Sequence, residues 1–84
     1  GGCCIGEKIV IALWGGHSVS VLDLNGIETD RLHIDVPQPT NCKYDREANE
    51  LWLTSAREGL NDASLARWPN SGDTFCFDLG GLAC

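Results

Sequence analysis

Val21-Leu22-Asp23-Leu24-Asn25-Gly26 and Cys76-Phe77-Asp78-Leu79-Gly80-Gly81 are two versions of one phrase, an apolar strand that runs into Asp-x-x-Gly. Upstream of each copy lies a second matched pair, Ile9-Val10-Ile11-Ala12 and Leu51-Trp52-Leu53-Thr54. Further upstream, Cys3-Cys4-Ile5 answers Asn41-Cys42-Lys43-Tyr44. The order is the same in both copies: a short strand, an apolar strand, a loop, and a strand closing on Asp-x-x-Gly. A strand pattern that returns at about 40 residues is the mark of a propeller blade. Two blades cannot close a ring, so the chain is expected to act inside something larger.

The rest of the chain fills in that pattern. Ile9 to Leu13 is continuously apolar and rich in β-branched residues, which predicts a strand buried on both faces. Gly15-Gly16 offers the positive φ angles of a tight turn. Ser18-Val19-Ser20-Val21 alternates and predicts a strand with one buried face. Asn25-Gly26 is the strongest hairpin signal. Leu32, Ile34 and Val36 alternate with His33 and Asp35, which predicts a more exposed outer strand ended by Val36-Pro37-Gln38-Pro39. Residues 3–36 thus read as a complete four-stranded meander. The second unit opens at Asn41 to Tyr44, turns at 45–49, and continues with a strand from Glu50 to Thr54. An inserted segment then runs from Ser55 to Asp73, where Asn61 can cap a short helix through Leu65 and Arg67 and Pro69 to Gly72 stop it. Thr74 to Asp78 is the third strand.

Composition narrows the function. Among 84 residues, 12 acids against 6 bases leave a net charge of −6, and the bases Lys8, Arg31, Lys43, Arg46, Arg57 and Arg67 are scattered. Nucleic-acid binding needs clustered cations to neutralise phosphates, so it is not expected. No apolar run approaches the roughly 20 residues that span a bilayer, so no membrane partner is expected either. The absence of Met reads as a piece of a longer chain. Five cysteines, Cys3, Cys4, Cys42, Cys76 and Cys84, show no zinc or disulfide spacing. They read as small apolar side chains in a reducing compartment, which predicts a cytoplasmic protein.

The block Val36-Pro37-Gln38-Pro39-Thr40-Asn41-Cys42, followed by Leu51-Trp52-Leu53-Thr54-Ser55-Ala56-Arg57-Glu58-Gly59-Leu60, resembles the regucalcin/gluconolactonase family, also called luciferin-regenerating-enzyme-like. Ala12-Leu13-Trp14-Gly15-Gly16 and Val21-Leu22-Asp23 are similar to the preceding blade of the same proteins. The resemblance covers almost the whole chain. It implies an all-β, six-bladed β-propeller. Residues 1–37 would be its penultimate blade. Residues 38–84 would be its last blade, without an outer strand and with a loop and short-helix insertion at about 56–73. It also implies a metal-dependent lactonase-like hydrolase acting on sugar lactones. A divalent cation, calcium or zinc, would lie at the top of the central channel, held by a Glu, an Asn and an Asp. The alternative is a non-catalytic propeller piece with a calcium-binding or protein-contact role.

The family's Asp position falls on Gly1, which has no side chain to ligate metal. The Glu and Asn ligands would lie in blades outside this chain. No metal ligand, catalytic base or bound cofactor is therefore assigned here, and the chain alone is expected to be inactive. Its partners would be a lactone and the remaining blades. In a meander, the loops after the second and fourth strands share one end, and Trp14, His17, Thr40, Asn41 and Arg57 are the candidates for the pocket wall there. Thr40 is read as the counterpart of Gly1. Each candidate carries a second reading. Trp14 packs between blades or stacks on a ligand. His17 is a solvated turn residue or a pocket acid/base. Arg57 clamps a ligand or pairs with Glu58 or Asp62. Trp52 is expected in the core and His33 on the outside. Asp23 and Asp78 read as turn caps, and Cys4 and Cys42 as equivalent buried residues.

Overall fold

The computed structural model describes residues 1–79. The chain runs β1 (Gly2–Ile5), β2 (Lys8–Leu13), β3 (Ser18–Leu22), β4 (Glu28–His33), β5 (Pro39–Asp45), β6 (Glu50–Ser55), α1 (Asp62–Arg67) and β7 (Thr74–Asp78). It builds two antiparallel sheets, one of order β1-β2-β3-β4 and one of order β5-β6-β7. The meander expected for residues 3–36 is present. Gly80-Gly81, the tail of the second phrase, and the strand expected after it lie outside the described residues.

The ladders test the repeat directly. Val10 faces Val21 in the first sheet, and Trp52 faces Cys76 in the second. Ile9 faces Leu22, as Leu51 faces Phe77. The two sequence matches, made separately, therefore fall in one register. The same reasoning corrects the first strands. Cys4 faces Ile9 and Tyr44 faces Leu51, so the counterpart of Cys4 is Tyr44, and that of Gly1 is Asn41 rather than Thr40. The register runs unbroken from Asn41 to Asp45, which fixes these correspondences, and the shift between Pro39 and Asn41 leaves Thr40 as the extra residue of a bulge.

The core lies between the sheets. Val10, Ala12, Val19 and Val21 of the first sheet meet Cys42, Leu51 and Leu53 of the second, with Ile5, Ile34, Val36 and Leu79 around them. A crevice of about 250 Å³ remains in this interface, lined by Val10, Val21, Leu32, Leu51 and Leu79 among others. Burying Val10, Val19 and Leu53 almost completely is worth about 1.5–3 kcal/mol for each side chain.

Several expectations change once faces are assigned. β2 is not buried on both sides: Val10 and Ala12 are buried, whereas Ile9, Ile11 and Leu13 on the other face are half-buried. β3 has both faces buried, Ser18 and Ser20 included, because β2 and β4 flank it and Ser20 Oγ donates to Glu28 Oε2. Trp52 is 44% exposed instead of core, while its neighbours Leu51 and Leu53 are buried. It holds the position of buried Val10, but the face it occupies has no sheet packed on it among the described residues. Cys4 is exposed for the same reason on the opposite side of the molecule. The outer strand comes earlier than the alternation of Leu32, Ile34 and Val36 predicts. β4, Glu28–His33, is exposed except for half-buried Leu32, and residues 34–38 form a return segment that is buried except for Asp35. The alternation straddles the end of the strand, with Leu32 in β4 and Ile34 and Val36 in the connection that follows it.

Turn chemistry follows the sequence closely. Asp23 Oδ1 accepts the amides of Asn25 at 2.8 Å and Ile27 at 3.1 Å. Gly26 takes φ +81°. Asp45 Oδ1 does the same for Glu47 and Ala48 between β5 and β6.

Candidate functional site

The starts of β1, β3, β5 and β7 and the ends of β2, β4 and β6 share one end of the two meanders, and the nominated loops gather there. The turn after β2 closes through the Gly16 amide donating to the Leu13 carbonyl at 2.8 Å. Its positive φ angles fall on Gly15 (+76°) and His17 (+52°), not on the expected Gly15-Gly16 pair. His17 is thus held in the left-handed region, and the residue is half-buried. Its carbonyl accepts the Ile34 amide at 2.9 Å, and its amide donates to the Pro37 carbonyl at 3.4 Å. These bonds tie the turn to the return segment.

Asn61 caps α1 as its position predicts, with Oδ1 accepting the Ser64 amide at 2.9 Å. The helix brings Trp68 to the His17 ring, with centroids 4.8 Å apart and planes tilted by 58°. The Arg67 guanidinium lies 5.0 Å from the Trp68 ring centre, within cation–π range. Trp68 was missed by the sequence reading. The available signal was a third Trp just before Pro69, inside an inserted segment that returns to this end. Trp14 is 55% exposed and does not pack between the sheets. It stands apart from the His17–Trp68 pair, with no ring partner among the described residues.

Around the start of β1, the Gly1 ammonium donates to the Thr40 carbonyl at 2.8 Å. The Thr40 and Thr54 hydroxyls share a hydrogen bond at 2.7 Å. Asn41 Oδ1 accepts the Cys42 amide at 2.9 Å. Gln38, 8% exposed, donates through Nε2 to the Glu58 carbonyl at 2.9 Å. Its Oε1 is buried with no partner. Arg57 is exposed, with its aliphatic stem against Gly72. The pairing expected with Glu58 or Asp62 is not formed; among the described residues the recorded ion pair is Arg31–Glu28 at 2.8 Å. The structure therefore joins Gly1, Thr40 and Asn41 into one cluster and His17 with Trp68 into another.

The residues present do not fit a divalent cation. Calcium takes 6–8 oxygen ligands. This end offers the Asn41 amide and the Thr40 hydroxyl, both engaged within the chain, and no carboxylate among the nominated residues. No group of three or more His, Cys, Asp and Glu suited to a metal occurs among the described residues. Among the described residues this end gathers aromatic, amide and hydroxyl groups around His17, Trp68, Thr40 and Asn41.

No family model matches the chain. Over 64 residues it is 42% identical to an L-arabinolactonase of Azospirillum brasilense, a match that covers 76% of this chain and 21% of that protein. Its fold superposes on a crystal structure of regucalcin, a calcium-binding protein of Agrobacterium tumefaciens, with a TM-score of 0.85 and 33% identity. That match covers 92% of this chain and 27% of regucalcin. The chain thus spans about a quarter or less of each of these relatives. These two likenesses support a regucalcin/gluconolactonase-like family for the chain.

Proposed function

We propose that the chain forms two adjacent blades of a six-bladed β-propeller, 1–37 the penultimate and 38–84 the last, and that the whole protein hydrolyses a sugar lactone. The observation that carries the assembly is the pair of uncovered outer faces. Ile9, Ile11, Leu13 and Leu22 are half-buried on one side of the molecule, and Trp52 is half-exposed on the other. A single meander cannot bury both of its faces, and stacked neighbours bury them in turn. One such contact is made inside this chain, so each outer face fits a further blade. The lactonase reading is supported by the 42% identity with L-arabinolactonase.

In this reading the chain supplies part of the pocket wall through Trp14, His17, Thr40, Asn41 and Arg57, joined by Trp68. The cation is held by residues of the other blades, because Gly1 and its neighbours provide no ligand set. The 84 residues alone are inactive. Four free thiols among the described residues, Cys3, Cys4, Cys42 and Cys76, support a reducing compartment such as the cytoplasm. No helix among the described residues is long and apolar enough to cross a membrane.

The test is hydrolysis of a pentono- or hexonolactone by the protein carrying the remaining blades, with and without chelator. Turnover that stops on chelation and returns with calcium or zinc is the expected result. No turnover of any lactone sinks the enzymatic reading. A second reading, a non-catalytic calcium-binding or protein-contact propeller, is favoured by Gly1 at the family's Asp position, and calcium binding without turnover would select it.

A further inference from the structure

Cys3 and Cys42 come from the first strands of the two sheets and point at each other across the interface. Cys3 Sγ lies 3.3 Å from Cys42 Sγ, and Cys42 Sγ in turn lies 3.6 Å from the Val10 carbonyl. Two thiols from separate sheets, 39 positions apart in the chain, are thus lined up donor to acceptor. A disulfide needs its sulfurs at about 2.05 Å, so closure asks for a shift of only about 1.3 Å. The other described cysteines lack this geometry. Cys4 and Cys76 are exposed and have no sulfur facing them among the described residues.

We propose that Cys3 and Cys42 are an oxidative modification site, a thiol pair that a peroxide converts to a disulfide clipping the two sheets together. Cys3 is half-buried and Cys42 is 7% exposed, so the oxidant reaches Cys3 first. The Cys3 thiolate attacks one oxygen of hydrogen peroxide, the O–O bond breaks, and hydroxide leaves, giving Cys3 sulfenic acid. Cys42 sulfur then attacks the Cys3 sulfur, the S–O bond breaks, and water leaves with the Cys42 proton. Two thiols and one peroxide give one disulfide and two waters. Burial raises the Cys42 thiol to about 12, which keeps this sulfur protonated and makes it the resolving partner rather than the point of first attack. In a reducing compartment such a bond is transient and is reopened by thiol exchange, as expected of a redox-responsive pair. The clip stands on the geometry of the two sheets and is independent of the lactonase reading.

The experiment is peroxide treatment of the native chain, followed by digestion with trypsin without reduction. Cleavage after Lys8, Arg31 and Lys43 releases segments 1–8 and 32–43. The expected product is these two segments joined and lighter by two hydrogens, formed at a rate independent of protein concentration and reopened by dithiothreitol. Cys4→Ser should keep the link, whereas Cys3→Ser and the volume-sparing Cys42→Ala should each abolish it. A link through Cys4, a link between chains, or Cys3 driven to sulfinic acid with Cys42 still free would each overturn the proposal.

Discussion

Leu53 and Trp52 sit side by side on β6 and face opposite sides of the second sheet. Leu53 is 0% exposed between the sheets; Trp52 is 44% exposed on the face with no sheet over it. Leu53→Ala removes three buried carbons, about 2.4 kcal/mol at ~0.8 per CH₂ group. The cavity left behind brings the total to about 3–5 kcal/mol. Trp52→Ala removes a larger side chain, yet in this chain alone it should cost about 1 kcal/mol or less, as surface changes do. If further blades complete a wheel, the same Trp52→Ala becomes a core truncation worth about 3–5 kcal/mol. The assay is urea unfolding of both variants, once in the 84-residue chain and once in the protein carrying the remaining blades, read as midpoint shifts at constant slope. A Trp52→Ala cost that is equal in the two settings would refute the stacking of another blade on this face.

The remaining predictions concern single groups. Arg31, and after it Ser20, hold the Glu28 carboxyl below its usual value; a depressed carboxylate adds stability above its unfolded value and loses it as pH falls through the folded one. Glu28→Gln should therefore lower Tm slightly near neutral pH and not at all below the carboxylate range, and a gap that persists in acid would contradict this. Burial, then the hydrogen bond from Cys3, raises the Cys42 thiol from 9.0 to about 12; its contribution is whole below the ordinary thiol value and is lost as pH rises through that window. Iodoacetamide should accordingly label exposed Cys4 well before Cys42, and Cys42→Ala should flatten the alkaline loss of stability; comparable labelling of the two would be the contrary result. A Cβ at Gly2 would sit 2.5 Å from the Val10 carbonyl oxygen, fixed backbone, whereas one at Gly1 would meet the flexible end of the Asn41 side chain. Gly2→Ala should cost about 1–3 kcal/mol by forcing β1 off β2, and amide exchange at Ala12, bonded to the Gly1 carbonyl at 2.9 Å, should accelerate. Gly1→Ala should leave it nearly unchanged.

Local order was written in local sequence. The strands β2, β3, β6 and β7, the Asp23 turn and the Asn61 cap rest on propensity, turn chemistry and hydrogen bonds a few residues long, all of which a linear reading contains. The repeat was legible too, because equivalent strands face equivalent neighbours. The sequence alone did not decide which face of each strand was covered. Val10 and Trp52 hold one repeat position, yet one is buried and the other half-exposed, because a sheet lies over the first and none of the described residues over the second. The meeting of Cys3 with Cys42 and the seating of His17 on Trp68 are likewise products of how two sheets and an inserted helix come together. These contacts join residues about 40 or 50 positions apart, and only the packed chain brings them within reach.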